Sequence, residues 1–301
     1  MPNQNKNHHQ SKSASKNDQT VKNIGIVFIL NLVFSGLEFI FGFIFNSSAI
    51  LSDAVHDLGD SVSVGLAFFF QKYSTKKSND KFSFGYQRFS LLGALITAVV
   101  LLAGSILVAF RSVPLLFDPQ PVNSSGMLWI SIFAIVVNGY AAWLMSKGKS
   151  ENESFLNLHM LEDVLGWIGV LVVSIIMQFS NLYILDPMLS IGIALYIFVQ
   201  AVPKFYHTLT IFLESVPEGV DLNELESNIL TIEEIDDFSH FHFWSIDGQE
   251  NAFSVTLLVS SEHMKDASKI KAQVREQLEG YNVTHSTIEL VTEKKDLRKH
   301  N

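Results

Sequence analysis

Six apolar stretches lie between residues 23 and 206, near 23–45, 49–71, 85–110, 126–146, 156–179 and 184–206. The hydrocarbon core of a bilayer is about 30 Å thick and takes roughly 20 helical residues to cross. Each stretch therefore predicts a membrane-spanning helix. Any one of them would also suit a buried helix of a soluble core, but the loops between them argue otherwise. Lys6, Lys12, Lys16 and Lys22 precede the first stretch, and Lys72, Lys76, Lys77 and Lys81 follow the second. Lys147 and Lys149 follow the fourth, and Lys204 closes the sixth. The alternate loops hold only Arg111 and Asp118. Basic residues mark the cytoplasmic side, so both termini are expected in the cytoplasm.

Charge confirms the division of the chain. Only 17% of the 301 residues are charged, against about 25% in soluble domains. The segment from His207 to Asn301 holds 18 Asp/Glu and 8 Lys/Arg, so an acidic, water-facing region follows a nearly neutral one. A net charge of -9 argues against nucleic acid as a partner, because phosphate binding needs clustered Lys and Arg. With no cysteine in the chain, disulfides, thiolate catalysis and thiolate metal sites are excluded together. About twenty polar residues precede the first apolar run, which is unlike a secretory signal.

The predicted organisation is a disordered tail over 1–22, a transmembrane domain over 23–210, a cytoplasmic domain over 211–292 and a short tail over 293–301. In the third of these, Leu222–Leu230 has helical spacing, with Asp221 as N-cap and Glu224 three residues later. Phe238–Ile246 and Phe253–Val259 alternate apolar and polar residues around Asp247-Gly248, which predicts a hairpin. Lys265–Leu278 reads as an amphipathic helix and Thr287–Val291 as a last strand. The order αββαβ predicts a small two-layer α+β domain.

Function is written in the charged residues that interrupt the apolar stretches. Asp53, His56, Asp57 and Asp60 fall within an arc of about 100° on the second helix, and His159, Glu162 and Asp163 share one face of the fifth. A carboxylate near the bilayer centre disfavours insertion by about 2.5–3.5 kcal/mol, so these groups must face a partner, water or an ion. His-x-x-x-Asp occurs twice, at His56/Asp60 and His159/Asp163. Residues i and i+4 are helix-surface neighbours, and two such pairs face to face supply two imidazole nitrogens and two carboxylate oxygens. That set suits Zn²⁺, with Cd²⁺ and Co²⁺ as relatives. Polar helix-packing pairs are the alternative. Asp53 and Asp57 are candidate accessory groups, Asp57 as added charge or proton relay and Asp53 as a hydrogen-bonding group near the outer end.

The run Leu51-Ser52-Asp53-Ala54-Val55-His56 followed by Asp60 resembles the second-span signature of the cation diffusion facilitator family. Asn31, Glu38, Phe84-Gly85-Tyr86 with Arg88, Leu158-His159 with Asp163, Asp186-Pro187 and Glu214-Ser215-Val216-Pro217 resemble it as well. The resemblance covers about residues 22–292. It implies export of zinc-type divalent cations in exchange for protons by a homodimer. Each subunit would have six membrane helices and a metallochaperone-like, ferredoxin-like cytoplasmic domain. It maps the transport site to His56, Asp60, His159 and Asp163. It also implies a pairing of a basic residue at Arg88 with an acidic one near Glu214 that locks the dimer; an Arg88 that merely anchors its helix to headgroups is the alternative.

Departures from the family pattern limit what carries over. Residues 79–87 contain no histidine, so no loop metal site is expected between spans two and three. The family's His-Asp-Leu-His-Val-Trp reads Ser239-His240-Phe241-His242-Phe243-Trp244, and a histidine common in the next strand is Thr256. His240, His242, His263 and His285 are the candidates for a cytoplasmic metal site. His240 and His242, sharing one strand face by period two, suit a dimer interface better. The loop after span four lacks a His-rich insert, which favours a bacterial plasma membrane. No phosphate-binding G-x-x-x-x-G-K-[ST] occurs, so a gradient must drive transport. An intramembrane metalloenzyme, with Asp57 or Glu162 as base, and a metal sensor remain the alternatives.

Overall fold

A computed structural model describes residue 26 and residues 28–74, 76, 78–146 and 151–297. The predicted tail over 1–22 lies outside them, as do residues 298–301. The chain forms two compact units, one comprising the described residues up to Leu66 with Ile96–Pro203, the other Ala67–Leu95 with Lys204 onward.

The first unit is helical. Its elements are α1 (Phe28–Phe45), α2 (Ser48–Ser74), α3 (Phe89–Phe117), α4 (Ser124–Ser146), α5 (Glu151–Phe179) and α6 (Leu185–Phe212), with the ends of α2, α3 and α6 assigned to the second unit. Five stretches among the described residues are long and apolar enough to cross a membrane: Phe28–Phe45, Phe89–Phe117, Ser124–Ser146, His159–Phe179 and Leu185–Phe212. The exception is α2. It is a continuous 27-residue helix, but Asp53, Asp57 and Asp60 in its first half keep it from being uniformly apolar.

Polarity in this unit is inverted relative to a water-soluble bundle. Phe110, Trp129 and Leu165 are exposed, while Asn31, Glu38, Asp53, Asp57, Asn138, Asp163 and Asp186 are buried. Such a surface is unstable in water and stable against lipid. Phe34, Ile50, Met127, Trp167 and Val170 form the largest apolar cluster inside it. Helices approach closely where side chains are missing: a Cβ added at Gly104 would collide with Val55 Cγ1, and one at Gly59 with the Leu101 side chain.

The second unit carries a three-stranded sheet in the order β1-β2-β3: β1 (Ile235–Ser245), β2 (Asn251–Val259) and β3 (Val283–Val291). Two helices accompany it, α7 (Leu222–Leu230) and α8 (Ala267–Gln277). Strands β1 and β2 are antiparallel, pairing Phe243 with Phe253. Their turn has Gly248 at φ 92°, and Asp247 Oδ1 accepts the N–H groups of Gln249 and Glu250 at 2.9 and 2.8 Å. Strand β3 runs parallel to β2, pairing Ile288 with Val255, so the chain must cross over between them; α8 makes that crossover. Asp221 caps α7, accepting from Asn223 N at 2.9 Å and Glu224 N at 3.3 Å. Leu225, Ile229, Phe253, Leu257, Ile270 and Val274 fill the space between helices and sheet.

Several boundaries differ from the sequence expectation. Residues 83–88 form turns, so the third helix begins at Phe89 rather than near 85. The expected helix over Lys265–Leu278 divides into a 3₁₀ turn, His263–Asp266, and α8. Both β1 and β3 begin earlier than their alternation indicated. The simple alternation of β1 also fails. The pairing shifts register between Ser239 and His242, where His240 takes φ 50°. An extra residue in a strand re-aims the side chains around it, so regular alternation is interrupted here, although the His240 and His242 rings remain neighbours, with centroids 6.2 Å apart. His242 is exposed and His240 half-buried.

Candidate metal centre

The two His-x-x-x-Asp pairs converge. His56 and Asp60 are one turn apart on α2, with Nε2 to Oδ2 at 3.6 Å; His159 and Asp163 repeat this on α5 at 3.9 Å. Across the helices, His159 Nε2 lies 2.9 Å from Asp60 Oδ2 and His56 Nε2 lies 3.7 Å from Asp163 Oδ1. The imidazole rings meet edge to face, with centroids 5.7 Å apart. His56, Asp60 and His159 each offer one ligand atom within 4.8 Å of the others. Asp163 presents Oδ1 to one histidine and Oδ2 to the other.

The helix register explains the convergence. Spacing of four returns a side chain to nearly the same face, and the N-terminus of α2 is held in place by a buried carboxylate on α6. Asp186 accepts the Ser47 hydroxyl at 2.5 Å, Ser48 N at 2.7 Å and Ala49 N at 3.3 Å. Those N–H groups have no acceptor within the helix. The Ser190 hydroxyl donates to Ser48 O at 2.9 Å, and Ser52 Oγ donates to Ser190 O at 3.2 Å. A ladder of short polar side chains thus aligns α2 with α6.

Access differs within the quartet. The His56, Asp60 and His159 side chains are 20–26% exposed and that of Asp163 only 2%. A cavity of about 220 Å³ reaches the group between α2, α5 and α6, bounded by Asp53, His56, Asp163, Gly166 and Tyr196 among others. Glu162 also borders it but is exposed.

The accessory candidates adjoin the quartet, Asp53 bordering the same cavity as His56 and Asp163. Asp53 and Asp57 are buried with Glu38 of α1, and the three carboxylates bring one oxygen each within 4.8 Å of the others. Glu38 belongs to this cluster although its sequence position marks it only through the family resemblance. The signal was present: a carboxylate inside the first apolar stretch obeys the same energetic rule as those of α2 and α5.

The cytoplasmic histidines are dispersed. His240 and His242 have ring centroids 6.2 Å apart. His285 meets the Phe84 ring edge to face at 5.2 Å, and His263 opens the 3₁₀ turn. Neither group of potential ligands found among the described residues includes any of the four. Arg88 and Glu214, both in the second unit, form an ion pair with Nη2 to Oε1 at 3.0 Å. Arg88 Nε also donates to Ile246 O at 3.2 Å.

Comparison with known proteins places the chain in a family. Residues 24–213 match the cation efflux transmembrane domain. The cadmium, cobalt and zinc/H(+)-K(+) antiporter of Bacillus subtilis is 32% identical, over 95% of this chain and 92% of the relative. Zinc transporter ZitB of Yersinia pestis is 28% identical, over 91% and 88%. Metal cation efflux system protein CzcD of Cupriavidus metallidurans is 26% identical, over 93% and 89%. With its helical unit matched along its length and these relatives aligned along nearly the whole chain, the protein belongs to the cation efflux family.

Proposed function

We propose that this protein exports divalent transition-metal cations, chiefly Zn²⁺, in exchange for protons. Cd²⁺ and Co²⁺ are chemically related cargoes. The single observation that carries the reading is the convergence of His56, Asp60, His159 and Asp163. Their four closest nitrogen–oxygen separations run from 2.9 to 3.9 Å. Zinc bonds of 2.0–2.1 Å in a tetrahedron set ligand–ligand edges of about 3.3 Å, in the middle of that range. His56, Asp60 and His159 each bring one ligand atom within 4.8 Å of the others, and Asp163, which meets the two histidines with different oxygens, would complete the set by turning one oxygen to the ion.

The relatives' names support zinc, cadmium and cobalt as cargo and protons as one exchanged ion. The chemistry of the ligands supplies the coupling. Imidazole and carboxylate bind metal only when deprotonated, so acid on the receiving side favours metal release and proton uptake. The ion moves by alternating access, with α2 acting as the sixth membrane helix because none of its carboxylates is exposed on the outer surface: Asp53 and Asp57 are buried and Asp60 is half-buried. The protein works in the plasma membrane with both termini cytoplasmic, as a homodimer whose ferredoxin-like domains follow α6.

Purified protein in lipid vesicles tests this reading. Radioactive Zn²⁺ should accumulate when the lumen is acidic, stop when the proton gradient is collapsed, and drive measurable proton movement in the opposite direction. Zinc binding without transmembrane movement would overturn it.

A further inference from the structure

We infer that Glu38, Asp53 and Asp57 form a second cation site that takes an oxygen-seeking divalent ion. It differs from the His/Asp quartet in ligand set, having no nitrogen donor. Glu38 is 0% exposed, Asp57 1% and Asp53 5%. Both oxygens of Glu38, both of Asp57 and Oδ2 of Asp53 are buried with no hydrogen-bond donor from outside the cluster, and the Glu38 and Asp57 side chains are within hydrogen-bonding reach of each other. Glu38 comes from α1, opposite the two aspartates of α2, and its carboxylate is aimed into their pair with an oxygen within 4.8 Å of each.

Three buried carboxylates with unmatched oxygens are prohibitively unfavourable as bare anions. A Lys or Arg partner is absent among the described residues: no ion pair includes any of the three. Separations within 4.8 Å are those of oxygens sharing one ion, since bonds of 2.0–2.6 Å span Mg²⁺ to Ca²⁺. The donor set is oxygen only, which suits Mg²⁺, Ca²⁺ and Mn²⁺, whereas nitrogen donors favour Zn²⁺. An ion here ties α1 to α2. Through Asp53, which also borders the cavity beside His56 and Asp163, it has a route from the transport pathway.

The inference stands apart from the transport reading, and the experiment separates them. Full-length protein in detergent is loaded with one equivalent of Zn²⁺ per chain and titrated with Mn²⁺. Bound Mn²⁺ is read as loss of the free-ion electron paramagnetic resonance signal, and retained Zn²⁺ by elemental analysis. We expect one Mn²⁺ per chain with zinc retained. Glu38→Gln and Glu38→Ala should each weaken Mn²⁺ binding at least tenfold while zinc stoichiometry, which also reports an intact fold, is unchanged. One-for-one displacement of zinc by Mn²⁺, no Mn²⁺ uptake, or undiminished uptake by both variants overturns the inference. A parent that binds Mn²⁺ through Glu38 but no Zn²⁺ sinks the transport reading instead and leaves this one standing.

Discussion

Asp186, in the first turn of α6, accepts the backbone N–H of Ser48, at the first residue of α2, at 2.7 Å. This carboxylate does for α2 what a local N-cap usually does, but from another helix. It therefore sets the position of the helix that carries His56 and Asp60. Asp186→Ala leaves buried N–H groups and the Ser47 hydroxyl without their acceptor. Hydrogen bonds to charged groups contribute about 1.5–3 kcal/mol each, so we expect a loss of roughly 3 kcal/mol, read as a lower melting midpoint in detergent. Asp186→Asn, which keeps one acceptor oxygen, should lose less. Equal stability of all three proteins would refute the capping role.

Removing any member of the quartet should abolish transport without unfolding the protein. Asp60→Ala, His159→Ala and Asp163→Ala each delete one donor from a group whose separations span 2.9–3.9 Å. Even outer-shell changes cost about 10–100-fold in metal affinity, so direct loss should exceed 100-fold. Zinc flux into vesicles and a gel-filtration profile check both halves. A variant that moves zinc at the parental rate removes that residue from the site.

Helix spacing near His56 should be sensitive to a single methyl group. Gly104 faces Val55, one residue before His56, and has no room for a Cβ unless Val55 moves. Overpacking costs typically 1–3 kcal/mol. Gly104→Ala should lower both thermal stability and zinc affinity, and adding Val55→Ala should restore much of each. An inert Gly104→Ala would mean that α2 and α3 yield there freely.

The ion pair of Arg88 and Glu214 is partly exposed, at 35% and 58% of their side chains, so it contributes about 0–1 kcal/mol on its own. Arg88 has a second attachment in the Ile246 carbonyl; Glu214 has no such additional bond among those found. Arg88→Glu should therefore destabilise more than Glu214→Arg. The charge-swapped double variant should recover the ion pair but not the carbonyl bond, hence only part of the loss. Melting midpoints and zinc flux into vesicles both apply. If the swap recovers nothing in either of them, Arg88 acts as an anchor alone.

What the residues alone determined were the features governed by local rules. Apolar length marks α1 and α3 to α6, because a bilayer core demands a minimum span. The four-residue spacing of His56/Asp60 and His159/Asp163 places each pair on one face, because helix geometry is fixed. Asp221 begins α7 and Asp247-Gly248 turns β1 into β2 for the same kind of reason: the interaction closes within a few residues. Packing decided the rest. Nothing local links Asp186 to Ser48, 138 residues away, or joins Glu38 to Asp53 and Asp57 across two helices. Nor does periodicity reveal the shift at His240, where pairing with β2 overrides alternation. These features depend on which faces meet, and that is settled by burying polar groups against one another in a body whose outer surface is apolar.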